Sequence, residues 1–229
     1  MKTPDILPHE TGKEYALRVL KENIISFELP PGSQISENEL SSALSLSRTP
    51  IREALAELAK VKLIEIFPQK RTSISLIDYD LVEEASFMRY TMESAVIERV
   101  CLQWTEQDLI RLEENIALQK VYFQHGLKDR LFEKDNEFHR AFFEMTHNLE
   151  IFQLMQNLEI HFDRVRNLYV SNIQGLGIIE EHEAILQGIK NRDTAYTKEQ
   201  LQAHLTRYRV DASVIRNQFP QYFRSDCTP

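Results

Sequence analysis

Ser47-Arg48-Thr49-Pro50-Ile51-Arg52-Glu53-Ala54-Leu55 reads as the start of a helix that presents arginines to a DNA groove. Ser47 stands where an N-cap belongs, with a hydroxyl able to take up an orphan backbone N–H. Pro50 falls in the first turn, where its missing N–H has no intrahelical partner to lose. Ile51, Ala54, Leu55, Leu58 and Ala59 recur at i, i+3, i+4, i+7 and i+8, which makes one buried stripe. Arg48 and Arg52 lie one turn apart at the helix end that favours phosphate. A guanidinium there reaches a guanine edge or a phosphate oxygen. Taken alone, the nonapeptide is equally an ordinary amphipathic helix with two solvated arginines. Its neighbours decide between the two.

Upstream, Glu14–Phe27 predicts a first helix, and Leu29-Pro30-Pro31-Gly32 stops it. Ser36-Glu37-Asn38-Glu39 is a capping box that opens a short helix to about Leu44. Ser45-Leu46 makes the tight turn into the Ser47 helix. Two short helices joined in this way, the second bearing exposed arginines, form a helix-turn-helix. Downstream, Leu63–Ile66 and Thr72–Ser75 alternate as two strands, joined by the basic turn Pro68-Gln69-Lys70-Arg71. The whole is a winged helix-turn-helix whose wing, through Lys70 and Arg71, is placed to touch the DNA backbone or the minor groove.

A net charge of −8 looks wrong for such a head until it is divided. Residues 1–77 hold ten Lys/Arg and ten Asp/Glu; residues 78–229 hold seventeen and twenty-five. A neutral head with its arginines on one edge can bind DNA, while the acidic remainder limits non-specific binding. Only six glycines occur, none between Gly32 and Gly126, which points to a mostly helical chain. No long apolar run or secretory leader is visible. Cys101 and Cys227 imply no disulfide framework, so a reducing cytoplasm is the expected setting and no membrane partner is expected.

The run PGSQISENELSSALSLSRTPIREALAEL, from Pro31, with FPQKRTSIS, from Phe67, resembles the reading head of the GntR superfamily of bacterial transcription regulators. The resemblance implies DNA contacts at Arg48 and Arg52, with Ser47 and Thr49 on phosphate. The family more often carries glycine where this chain has Lys62, and a glycine in the wing where it has Gln69-Lys70-Arg71.

Leu76-Ile77-Asp78-Tyr79 is the expected linker, which divides the chain into a head at 1–77 and a second domain at 78–229. Long helical patterns follow at Asp80–Gln103, Glu106–His125, Leu127–Thr146, Glu150–Val170, Ile178–Lys190 and Lys198–Asn217, with a loop at Ser171–Gly177. The fold class is therefore mostly α, a winged helix-turn-helix followed by an all-helical bundle. His147-Asn148 ends the third of these helices, with Asn148 expected at the left-handed cap. Asp135 and His139 stand at i and i+4 on one helix face, while His182 and His204 lie on two other helices. If they converge, a carboxylate and three imidazoles would bind a divalent transition metal. Spacing alone leaves each histidine open as an ordinary core or surface residue. The acidic run Glu180-Glu181-His182-Glu183 reads as a solvated helix start with only His182 turned inward.

Residues Tyr79–Phe219 resemble the all-helical effector domain of the FadR subfamily, the FCD domain. The matching segments are Arg89-x-x-x-Glu93, Asp135-x-x-x-His139 with Phe138, Asn148, His182-x-x-Ile185 and His204-Leu205. In metal-containing members the aspartate and three histidines bind zinc or a similar ion. The resemblance thus assigns Asp135, His139, His182 and His204 to a divalent metal, zinc first and nickel or manganese as alternatives. It also implies a small organic-acid or sugar-acid effector and argues against an acyl-CoA. Arg89 is the first choice to pair with the effector's carboxylate, with Arg140, Arg164 and Arg166 as competitors; an ion pair of Arg89 with Glu93 is the alternative. Together these readings describe a homodimeric, metabolite-responsive repressor on a palindromic operator, and not an enzyme. The rival readings are a small metallohydrolase using the Asp/His site and a regulator with no metal and another ligand.

Overall fold

The structure is a computed structural model, and it describes residues 1–67, 72–172 and 176–225. The chain divides into two compact units, Met1–Asp80 with Arg216–Thr228, and Leu81–Ile215. The break at Asp80 lies within three residues of the expected one. The C-terminal stretch, which the sequence reading left with the second domain, folds with the first. Ile77 and Phe223 form a parallel bridge, and the ring of Phe223 stacks on Tyr79 with centroids 5.3 Å apart. Tyr222 stacks on Phe27 at 5.5 Å. These aromatic rings would otherwise be left in water, which is reason enough for the tail to fold back.

In the first unit, α1 (Gly12–Ile25) opens on a Thr11/Glu14 capping box, two residues before the predicted start. α2 (Glu37–Leu44) opens on the expected Ser36/Glu39 box. Ser45, at φ 54°, makes the turn into α3 (Arg48–Lys60). α1 packs on α3 through Ala16, Val19 and Leu20 against the stripe of Ile51, Ala54, Leu55 and Leu58, all buried. Strands β1 (Gln34–Ile35), β2 (Ile64–Ile66) and β3 (Thr72–Ile74) form an antiparallel sheet in the order β1-β3-β2, with Ile64 opposite Ile74. β1 was not foreseen, because two residues carry no readable alternation. Residues 68–71, and with them Lys70 and Arg71, lie outside the described residues.

With few glycines available, several left-handed positions are filled by other residues. α3 ends in a Schellman motif: Lys62 N–H donates to Ala59 O at 3.0 Å and Leu63 N–H to Leu58 O at 3.0 Å, with Lys62 at φ 58°. A Cβ in that region is strained. Lys62→Gly is therefore expected to raise the unfolding free energy by about 0.5–1 kcal/mol, after allowing for glycine's freer unfolded chain. Urea unfolding should show a higher midpoint with an unchanged slope; a lower midpoint would mean that the lysine side chain matters more than its backbone strain.

The second unit holds α4 (Tyr79–Gln103), α5 (Glu106–Gln124), α6 (Lys128–Met145), α7 (Leu149–Asn172), α8 (Leu176–Lys190), α9 (Thr194–Thr206) and α10 (Tyr208–Gln218), although the two ends of this run belong to the first unit. α6 ends in a second Schellman motif, but His147 (φ 57°), and not Asn148, takes the left-handed position. The single helix expected at Lys198–Asn217 is two. α9 starts earlier, on the Asp193 cap, and breaks at Arg207, whose N–H turns back to His204 O at 3.3 Å. No glycine or proline marks that break. The α8–α9 crossing is close: a Cβ on Gly188 would stand 2.3 Å from Thr197 Oγ1. This close approach, with the packing of α5 on α6 and of α5 on α8, sets the three histidine-bearing helices around one point.

Candidate metal centre and DNA-facing helix

Asp135 and His139 project from α6, His182 from α8 and His204 from α9. All four are buried, and one donor atom from each lies within 4.8 Å of the others. The structure thus brings together the four residues that the sequence singled out. Each imidazole is tied from outside through Nδ1: His139 to Glu93 Oε2 at 2.6 Å, His204 to Glu181 Oε2 at 2.9 Å, and His182 to Gln119 Oε1 at 2.8 Å. Gln119 is itself oriented, since its Nε2 donates to Asn115 Oδ1 at 2.7 Å and Asn115 Nδ2 to Lys134 O at 3.1 Å.

Ionised carboxylates and amide oxygens only accept, so each Nδ1 carries a proton and each ring turns its Nε2 inward. Burial, with the Arg89 guanidinium, holds His139 well below the usual histidine pKa; burial and the neighbouring His204 do the same to His182. Burial alone would raise the Asp135 carboxyl, but Arg166 overrides it and keeps Asp135 well below the carboxylate range. Arg166 Nη2 sits 2.6 Å from Asp135 Oδ2, leaving Oδ1 to point inward.

Three imidazole Nε2 atoms and one anionic oxygen therefore converge. Nε2 of His139 faces Nε2 of His204 at 3.0 Å, and His182 Nε2 is 3.7 Å from Asp135 Oδ1. His182 Nε2 and Asp135 Oδ1 are buried without a hydrogen-bond partner, a state that costs roughly 1–3 kcal/mol for each group. A divalent cation satisfies all four at once. The site is compatible with a metal ion.

Arg89 is 2 % exposed. Its Nε donates to Glu93 Oε1 at 2.6 Å and lies 3.4 Å from Glu159 Oε1. It is in the ion pair that the sequence offered as the alternative, and it braces the carboxylate that holds His139. Burial pushes Glu159 up to about 7. Beside the four donors lies a small cavity of about 20 Å³, lined by Asp135, Arg166, Tyr169, Glu181, His204 and Arg207 among others. Arg89 and Arg140 are not in that lining, and Arg140 is an exposed partner of Glu144.

Sequence reasoning missed Gln119, Glu181 and Arg207. Glu181 is not a solvated residue: besides His204 it takes Arg207 Nη1. The signal that could have found it is its place beside His182, one step round a helix whose inner face is committed.

In the first unit, Ser47, Arg48 and Thr49 are exposed at the start of α3. Ser47 has the backbone of an N-cap, but its side chain makes no capping bond. Pro50, at the third helical position, has no N–H to offer, which removes one of the two donors an N-cap hydroxyl can use. Arg52 Nε donates to Glu37 Oε2 on α2 at 2.8 Å, and both side chains are largely exposed.

Comparison with known proteins agrees with this division. Residues 14–74 match the family of bacterial regulatory proteins, gntR family, and residues 84–207 match the FCD domain. The chain is 27 % identical over 220 residues to the HTH-type transcriptional repressor RspR of Escherichia coli K12, covering 96 % of each chain. It is 27 % identical over 183 residues to the gluconate operon transcriptional repressor of Bacillus licheniformis, covering 76 % of this chain and 74 % of that one. Two solved structures share the fold at 19 % identity. They are E. coli McbR/YncC, with a TM-score of 0.75 over 91 % of this chain and 99 % of that one, and a transcriptional regulator GntR from Rhodococcus sp. RHA1, with 0.72 over 93 % and 99 %. These relatives are regulators and give the metallohydrolase reading no support. The chain belongs to the GntR family of bacterial transcription regulators, with a winged helix-turn-helix head followed by a helical FCD domain.

Proposed function

We propose that this protein is a metabolite-responsive repressor acting in the cytoplasm. Its FCD domain holds a divalent metal, zinc first, on Asp135, His139, His182 and His204, and there receives a small organic or sugar acid. The observation that carries the reading is the pair of buried atoms Asp135 Oδ1 and His182 Nε2, without a hydrogen-bond partner among the described residues and set beside the inward Nε2 atoms of His139 and His204. A bound ion would supply an electrophilic position for a carboxylate oxygen. This chain's own residues fix the rest: Glu93, Gln119 and Glu181 set the tautomers, and Arg166 holds Asp135 ionised and aimed. The name of the B. licheniformis relative supports the sugar-acid class, and the names of both curated relatives support repression.

The head would read one half-site through Arg48 and Arg52, with Ser47 and Thr49 on phosphate and Lys70 and Arg71 from the wing. A homodimer would read both halves of a palindrome. Phe87, Leu154 and Leu158 of the helical unit are exposed apolar side chains, and a second copy would cover them. No described helix is long and apolar enough to cross a membrane.

The test is selection of a binding site from random duplex DNA by the zinc-loaded protein, followed by titration with acetate, succinate and gluconate. Recovery of a palindrome, and its release by one of the acids, is the expected result. A protein that enriches no sequence is not the regulator described here.

A further inference from the structure

The cavity beside the four donors has room for about one water molecule. A carboxylic acid cannot reach those donors until a lining side chain moves. The lining includes two arginines, Arg166 and Arg207. Arg166 is buried and committed, since it pairs with Asp135 and, at 2.8 Å, with Asp163. Moving it would strand a buried carboxylate.

Arg207 differs in each respect. Its side chain is 35 % exposed. Its Nε donates to the Tyr169 hydroxyl and its Nη1 to Glu181 Oε1, so it lies across the cavity as a clasp between α7 and α8. Gly177 leaves room for it: a Cβ there would meet Arg207 Nη2 and Cζ, and the guanidinium would have to shift.

We infer that Arg207 is the residue that recognises the effector's carboxylate, and that it does so by exchanging its Glu181 partner for the incoming acid. The inference rests on the acid-binding reading given above. The exchange replaces one carboxylate by another on the same guanidinium, so no charge is left unpaired at Arg207. Glu181 keeps its second partner, His204 Nδ1, so the ligand set stays oriented while the clasp opens.

The experiment is calorimetric titration of zinc-loaded full-length protein with acetate, succinate and gluconate, and with gluconamide as the uncharged control. Wild type, Arg207→Gln and Arg207→Lys are compared at equal measured zinc content. An acid that binds wild type, with gluconamide silent, should bind Arg207→Gln roughly 10- to 100-fold more weakly, the worth of a charge-assisted hydrogen bond. Arg207→Lys, which keeps the charge and loses the fork, should fall between. Equal affinity of the acid for wild type and Arg207→Gln overturns the role of Arg207 and leaves the acid-binding reading intact. Wild type that binds none of the acids overturns that reading, and this inference with it.

Discussion

His139→Ala/His182→Ala is expected to take the metal content of the purified protein from about one ion per chain to none. Elemental mass spectrometry on both proteins, after incubation with zinc and dialysis, reads the result. The loss should be complete because only two donors, Asp135 and His204, would remain on a site that must outcompete water. Stability should follow. At a free zinc concentration 100-fold above Kd, binding adds about 2.7 kcal/mol. For a chain of this size that is a rise in Tm of about 5–10 °C. The variant should show no such rise. Part of the cost of the change in its zinc-free form should be offset, since it also removes the partnerless His182 Nε2. Unchanged occupancy in the variant would mean that the cluster is a hydrogen-bonded core and that any ion sits elsewhere.

How far the sequence could go is clear from where it stopped. The head was legible because its signals are local. Ser36 and Glu39 make their capping box, and the Ile51 stripe is buried as spaced. The metal quartet was half legible. Asp135 and His139 share a helix face by arithmetic, but nothing in the spacing brings α8 and α9 onto α6; that took packing, Gly188 included. The residues that tune the site were not legible at all. Gln119 lies on α5, far from any histidine in sequence, and only the fold sets its amide oxygen 2.8 Å from His182. Arg89 shows the reverse failure. An arginine one turn before a glutamate is compatible with a ligand clamp or with an ion pair, and burial of both side chains decided for the pair. The Arg207 break was hidden because it uses neither glycine nor proline, and apolar residues at helical spacing run through it. The left-handed cap of α6 was misread, since His147 takes the position expected of Asn148.

Arg48→Ala should weaken binding to the selected operator by about 1–3 kcal/mol per head, roughly 10- to 100-fold. Arg48 is the first residue of α3 and is exposed, beside the Ser47 hydroxyl, which makes no capping bond. It therefore sits where orphan N–H groups, the helix dipole and a hydroxyl all favour a phosphate or a base edge. The head as a whole is electrically neutral, so little background attraction remains to compensate for a lost arginine. Arg52 is placed differently. Its Nε rests on Glu37, an exposed pair worth at most about 1 kcal/mol, so DNA can displace Glu37 cheaply or use it to aim the guanidinium. Arg52→Ala should thus cost less than Arg48→Ala, and a homodimer would carry either change twice. Fluorescence anisotropy on the operator and on a scrambled duplex, across a salt series, separates the contacts. Loss on both duplexes, with a salt slope shallower by about one per head, marks a phosphate contact. Loss on the operator alone, with relaxed preference at one position, marks a base contact. Unchanged affinity on both would remove Arg48 from the interface and shift the reading element away from the start of α3.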